Sequence, residues 1–182
     1  MSLFGRKEPL HERLAREGGL IESEPRAPWR EVGIHGMPRT REWDATMTTE
    51  AAGIDGDAAT FVVLPDGSVL VEEGPDSSLE QLAAAVETEL PPPYRARAAR
   101  QRGDLWAVQA RRIEVLELPE APAGDSLELS NTAEGRVLTV DGQRVFGTVP
   151  QLEARGEREG AEYAVRAERL DGDLFEVKAS AL

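Results

Sequence analysis

One phrase occurs twice in this chain: YRARAARQRGDLWAV from Tyr94 to Val108 and YAVRAERLDGDLFEV from Tyr163 to Val177. At a constant spacing of 69 residues, Tyr94, Arg97, Ala98, Arg100, Gly103, Asp104, Leu105 and Val108 meet Tyr163, Arg166, Ala167, Arg169, Gly172, Asp173, Leu174 and Val177, while Trp106 meets Phe175. Gly56-Asp57 meets Gly124-Asp125, and Gly67-Ser68-Val69-Leu70 meets Gly135-Arg136-Val137-Leu138, at a spacing of 68; Ser78 to Leu82 meets Thr148 to Leu152 at 70. A drift of one or two residues belongs in loops. The pattern therefore predicts two copies of one unit, 41–110 and 111–182, packed as one globular body and preceded by an extension over 1–40.

Within a copy the order of elements is legible. Alternation of Trp43, Ala45 and Met47 with polar neighbours predicts a half-buried strand. ATFVVLPDGSVLVEE is two β-rich runs joined by Pro65-Asp66-Gly67, a hairpin turn. In SSLEQLAAAVETEL, Ser78 followed by Gln81 forms a capping-box pattern, and Leu79, Leu82, Val86 and Leu90 recur on one helical face until Pro91-Pro92-Pro93. Thr148 and Gln151 repeat the cap in the second copy, but Gly156 and Gly160 predict a weaker, shorter helix there. The repeated phrase is a second hairpin, with Tyr94, Ala96 and Ala98 on one face, Arg95 and Arg97 on the other, and Trp106, Val108 and Ala110 on the return strand.

The unit reads strand, strand, strand, helix, strand, strand. Two tandem units predict an α+β fold with pseudo-twofold symmetry, its antiparallel sheets carrying the helices on one side. Alternation shifts phase between Ala110 and Ile113, which predicts a bend or bulge near Arg111-Arg112. This order of elements resembles the central part of the secretion-chaperone-like fold, whose members are small acidic proteins that bind other polypeptides. The resemblance lies in element order and implies polypeptide binding by analogy of fold.

The first forty residues differ from the units. EPLHERLAREGG predicts a short helix over 8–17, with Leu10 and Leu14 on one side and Gly18-Gly19 as its stop. With Leu3 and Phe4, these leucines form a candidate docking segment for a partner protein, or else a cover for a sheet face. A connector rich in Pro and Gly follows, with Pro25, Pro28, Gly33, Gly36 and Pro38.

Chemistry is constrained by what the chain contains. Its 182 residues carry a net charge of −13, so the surface as a whole repels nucleic-acid phosphates and anionic lipid, and no nucleic-acid partner is expected. Without cysteine there is no disulfide, thiolate nucleophile or Cys-based metal site. The sequence shows no phosphate loop, dinucleotide fingerprint or nucleophile elbow, and no cofactor is expected. No segment has the apolar length of a membrane span and the start has no secretory pattern, so a cytoplasmic protein is expected.

The two histidines are His11, on the short helix, and His35, between Gly33 and Gly36. His35 is the candidate general base, with a loop histidine bonded to backbone as the plainer reading. Asp55-Gly56-Asp57, Asp141-Gly142 and Asp171-Gly172-Asp173 lack the ligand spacing of a calcium loop and read as turns. A charge anomaly remains: Arg95, Arg97, Arg100, Arg102, Arg111 and Arg112 face Asp104 alone between Tyr94 and Arg112. The second copy balances Arg166, Arg169 and Lys178 with Glu168, Asp171, Asp173 and Glu176. Arg95, Arg97, Arg100 and Arg102 are thus candidate contacts for an anion or acidic partner, with internal pairing as the competing reading.

These features predict a non-enzymatic binding or adaptor protein that contacts a partner through its extension and arginine face. The alternative is a protein or enzyme that binds a small anion in a pocket between the repeats.

Overall fold

The computed structural model describes residues 30–32, 40–42, 44–75 and 79–182. Leu3, Phe4, Leu10, His11, Leu14, His35, Trp43 and Ser78, and the helix expected over 8–17, lie outside the described residues. The fold is mixed: two antiparallel sheets and two short helices are found among the described residues, together with a two-stranded hairpin. Two compact units are resolved, one holding residues 44–112 and the other 113–182 with the small hairpin β1 (Arg30–Val32) and β2 (Thr40–Glu42).

In the first unit, β3 (Asp44–Glu50), β4 (Ala58–Val63) and β5 (Val69–Glu73) precede α1 (Glu80–Glu87), and β6 (Tyr94–Arg102) and β7 (Leu105–Arg112) follow it. The strand order is β3-β7-β6-β4-β5. In the second unit, β8 (Val115–Glu117), β9 (Ser126–Thr132), β10 (Gly135–Val140) and β11 (Gln143–Val145) precede α2 (Pro150–Glu157), and β12 (Tyr163–Asp171) and β13 (Leu174–Ala181) close the chain. That sheet runs β11-β10-β9-β12-β13-β8.

Alternation decides which face is buried. Tyr94, Ala96 and Ala98 of β6 and Trp106, Val108 and Ala110 of β7 are buried, with Phe61 of β4 and Leu82 and Val86 of α1. Tyr94 ties sheet to helix, its hydroxyl donating to the Ala83 carbonyl at 2.9 Å. In the second unit Leu127, Leu129, Leu138, Leu152, Val165, Phe175 and Val177 form one core with Tyr163. Burying a side chain of this size contributes about 1.5–3 kcal/mol before the cost of ordering the chain.

Three local expectations are corrected. Leu79 and Val149 are the N-cap residues and neither makes a side-chain cap hydrogen bond; the cap expected at Ser78 lies outside the described residues. Gln81 instead reaches Ala52, accepting from its N–H at 3.2 Å and donating to its carbonyl at 3.1 Å, while Thr148 donates to Glu153. The second helix is not shorter, because both have eight residues. Its Gly156 lies against the Tyr163 ring, where a Cβ would overlap the ring edge. Finally, β7 ends at Arg112 and β8 starts at Val115 in the other sheet, so the phase shift marks a change of sheet. Irregular pairing falls instead at Arg100/Arg102 and Arg169/Asp171, just before the two tight turns, and at Thr60/Phe61 between β4 and β5.

Among the described residues no helix is long and apolar enough to cross a membrane.

Candidate binding surface

The outward face of the β6–β7 hairpin follows from its register. A turn at Gly103, in the left-handed region at φ 53°, sets Arg95 opposite Arg111 and Arg97 opposite Gln109. Their even-numbered neighbours Ala96, Ala98, Val108 and Ala110 point into the core. The hairpin thus presents donors on one side because apolar burial claims the other. Arg95, Arg97, Gln109, Ala110 and Arg111 line a concavity of about 370 Å³.

Charge on this face is partly balanced. Arg95 pairs with Glu72 of β5, which folds one carboxylate over the edge of the face. Arg97 is exposed and has no hydrogen-bond or ion-pair partner among the described residues. Arg95 and Arg111 are direct cross-strand neighbours, and like charges so placed repel. A bound carboxylate or phosphate would meet the planar donor fork of Arg97, with the already partnered Arg95 and Arg111 beside it. These side chains can hold an anion; the five lining residues are three arginines, a glutamine and an alanine, with no hydroxyl, thiol, imidazole or carboxylate to act as nucleophile or general base.

Arg100 is engaged differently. Its Nε donates to the Gly56 carbonyl at 3.0 Å, its other nitrogens donate to the Ile54 and Gly103 carbonyls, and its guanidinium lies 4.4 Å from the Trp106 ring centroid. Arg169 repeats the arrangement, donating to the Gly124 and Gly172 carbonyls and lying 4.4 Å from the Phe175 ring centroid. Asp57 and Asp125 stand beside the two guanidiniums at 3.5 and 3.3 Å. In both units the arginine sits just before the hairpin turn and fastens it to the loop that precedes the second strand of the unit. Arg102, exposed near the same turn, does not line the concavity.

The structure therefore brings together Arg95 and Arg97 and separates them from Arg100 and Arg102. Gln109 was not among the residues singled out from sequence; reading the register back from the Gly103 turn would have placed it opposite Arg97. Asp141 and Gly142 form the left-handed turn between β10 and β11, and Asp141 Oδ1 accepts from the Asp125 and Ser126 amides at 3.1 and 2.9 Å. No group of three or more metal-ligating side chains occurs among the described residues.

Comparison with protein-family models, curated proteins and solved structures finds no match.

Proposed function

We propose that this protein is a binding module and that the outward face of β6 and β7 takes an acidic segment of a partner protein. The observation carrying the proposal is Arg97, an exposed and unpartnered guanidinium among the described residues, set in a concavity with Arg95, Gln109 and Arg111. Arg100 shows the structural alternative, with its donors satisfied by backbone carbonyls, and Arg97 differs from it in lying in the concavity with its donors open. Arg97 leaves its donors outward from a strand whose backbone is already ordered in the sheet, so binding a carboxylate has to order its side chain alone, at about 0.5–1.5 kcal/mol. Contact through the extension, with Leu3, Phe4, Leu10 and Leu14, remains a separate part of this reading.

The same proposal reads the two units as copies of one ancestral unit that have diverged in this face. Support comes from the matched arginine fasteners, from the matched phrases, and from sheets that each order their first strand, late hairpin and early hairpin alike. Where the first unit has Arg95, Arg97 and Gln109, the second has Ala164, Arg166 and Lys178, with Arg166 bonded to Glu128 at 3.2 Å. Divergence of the outward residues above a shared inward pattern is expected where one copy acquires a ligand.

A small anion is the second reading, favoured by a concavity whose size falls in the range of small-molecule sites. Fluorescence anisotropy with a labelled glutamate-rich peptide, competed with citrate and with inorganic phosphate, separates the two. The account expects peptide binding that weakens with salt and falls at least about tenfold, or about 1.4 kcal/mol, in Arg97→Glu. Arg102→Glu, outside the concavity, should retain most of it. Binding of citrate or phosphate without peptide binding selects the small-anion reading, and equal losses in the two variants reject a site at Arg97.

A further inference from the structure

The second unit offers an interaction surface at its sheet edge. Among the described residues β11 is the terminal strand of its sheet and pairs only with β10, and it is followed by the fully exposed Phe146. Asp141 and Gly142, at φ 48° and 79°, make the two-residue turn, so the flanking Val140 and Gln143 exchange both their hydrogen bonds. Arg144, opposite Thr139, then falls in the alternate pair and turns its N–H and C=O away from β10. Its side chain is exposed and without a partner among the described residues. Val145, opposite the buried Leu138, is also exposed.

An open edge of this kind accepts another strand. We propose that β11 pairs antiparallel with β11 of a second copy of this chain, about a twofold axis through Val145. The register is self-complementary. Val145 meets Val145 of the second copy, and Arg144 comes opposite Phe146 of the second copy while Phe146 comes opposite its Arg144. Each edge supplies the cation that the other edge's aromatic ring takes and the ring that its cation takes. The chain makes the same contact internally, with Arg100 over Trp106 and Arg169 over Phe175. Pairing extends β11 by one residue, through Phe146, and joins two six-stranded sheets edge to edge.

The contact is short, covering far less than the roughly 1,600 Å² of a standard interface, so the association is weak and concentration-dependent. Two copies that each carry a charge of −13 repel, so added salt strengthens the dimer. An acidic strand from another protein, held by Arg144, would show the opposite salt dependence. This surface belongs to the second unit and is independent of the arginine face on the first.

Sedimentation of the full-length chain over a concentration series, at low and at high salt, is the test, with far-UV circular dichroism confirming the fold of each variant. Phe146→Ser should weaken self-association about tenfold, about 1.4 kcal/mol. Arg144→Pro should weaken it at least as much while sparing the hairpin, because the N–H it removes points outward. The chain has no cysteine, so Val145→Cys introduces a single thiol. In the proposed register its Cα lies about 4.5 Å from its counterpart, within disulfide reach, and a covalent dimer should form under mild oxidation. Gln143→Cys should not cross-link to itself. A chain that stays monomeric throughout, with no cross-linking of Val145→Cys, overturns the proposal. Self-association unaffected by both edge variants, or weakened by salt, overturns it equally.

Discussion

Gly156 provides a sharp test of how the second unit is packed. On sequence grounds a glycine inside an eight-residue helix weakens it, and Gly156→Ala should gain about 1 kcal/mol of helix propensity. The structure reverses that sign. A methyl group built on Gly156 overlaps three atoms of the Tyr163 ring, and Tyr163 is itself almost wholly buried. Overpacking of a closed core costs about 1–3 kcal/mol, and an overlap with a ring that has no room to retreat belongs at the upper end. Setting about 3 kcal/mol against a gain of about 1 leaves Gly156→Ala destabilised by about 2 kcal/mol. Urea unfolding followed by far-UV circular dichroism measures the difference. In a Tyr163→Leu background the obstacle is gone, and the same Gly156→Ala change should become stabilising by about 1 kcal/mol. A neutral or stabilising Gly156→Ala in the wild-type background would refute the packing of α2 against β12.

Three further outcomes are expected. Tyr94→Phe removes the hydroxyl's bond to Ala83 and should cost about 1 kcal/mol, whereas Tyr163→Phe removes a buried hydroxyl that has no partner among the described residues and should be neutral or stabilising; chemical denaturation compares them. Burial, and next the charge of Glu87, raises the pKa of Tyr94 far above the ordinary tyrosine value, so its neutral form is the folded form. The stability this contributes is complete below about pH 10 and is lost as pH rises past that value, and Tyr94→Phe should flatten the fall in a series of unfolding curves. Arg100→Lys and Arg169→Lys should each destabilise by about 1–3 kcal/mol despite keeping the charge, because an ammonium cannot reproduce the planar fork reaching several carbonyls; a harmless lysine at either position would contradict the fastener. Trp106→Ala and Phe175→Ala, both fully buried, should each cost about 3–5 kcal/mol in calorimetry or denaturant unfolding, and a loss near zero would break their assignment to equivalent core positions.

What could be read from sequence followed the two-residue period of the strands. The inward set of Tyr94, Ala96, Ala98, Trp106, Val108 and Ala110 is buried, as are Phe175, Val177 and Ala179, because alternation reports directly which side of a sheet meets a core. Helix starts were less legible. A capping box is a contest among local hydrogen bonds, and Gln81 finds both its partners on Ala52, far away in sequence. Gly156 looked like a weakness because its neighbour Tyr163 arrives only in the folded chain. Arg100 and Arg97 are indistinguishable by charge count. Only the fold reveals that Arg100 spends its donors on backbone carbonyls while Arg97 keeps its own outward. The edge at β11 went unseen because three residues, Gln143 to Val145, carry too little alternation to register as a strand.

The central claim is that the outward face of β6 and β7 is where an acidic partner binds. Amide chemical-shift mapping of the full-length protein, titrated with a glutamate-rich peptide, tests it residue by residue. The account predicts shifts concentrated at Arg95, Arg97, Gln109 and Arg111 that vanish in Arg97→Glu, with the hairpin at Tyr163–Ala181 unmoved. Shifts centred on the second unit, or none at saturating peptide, would contradict it.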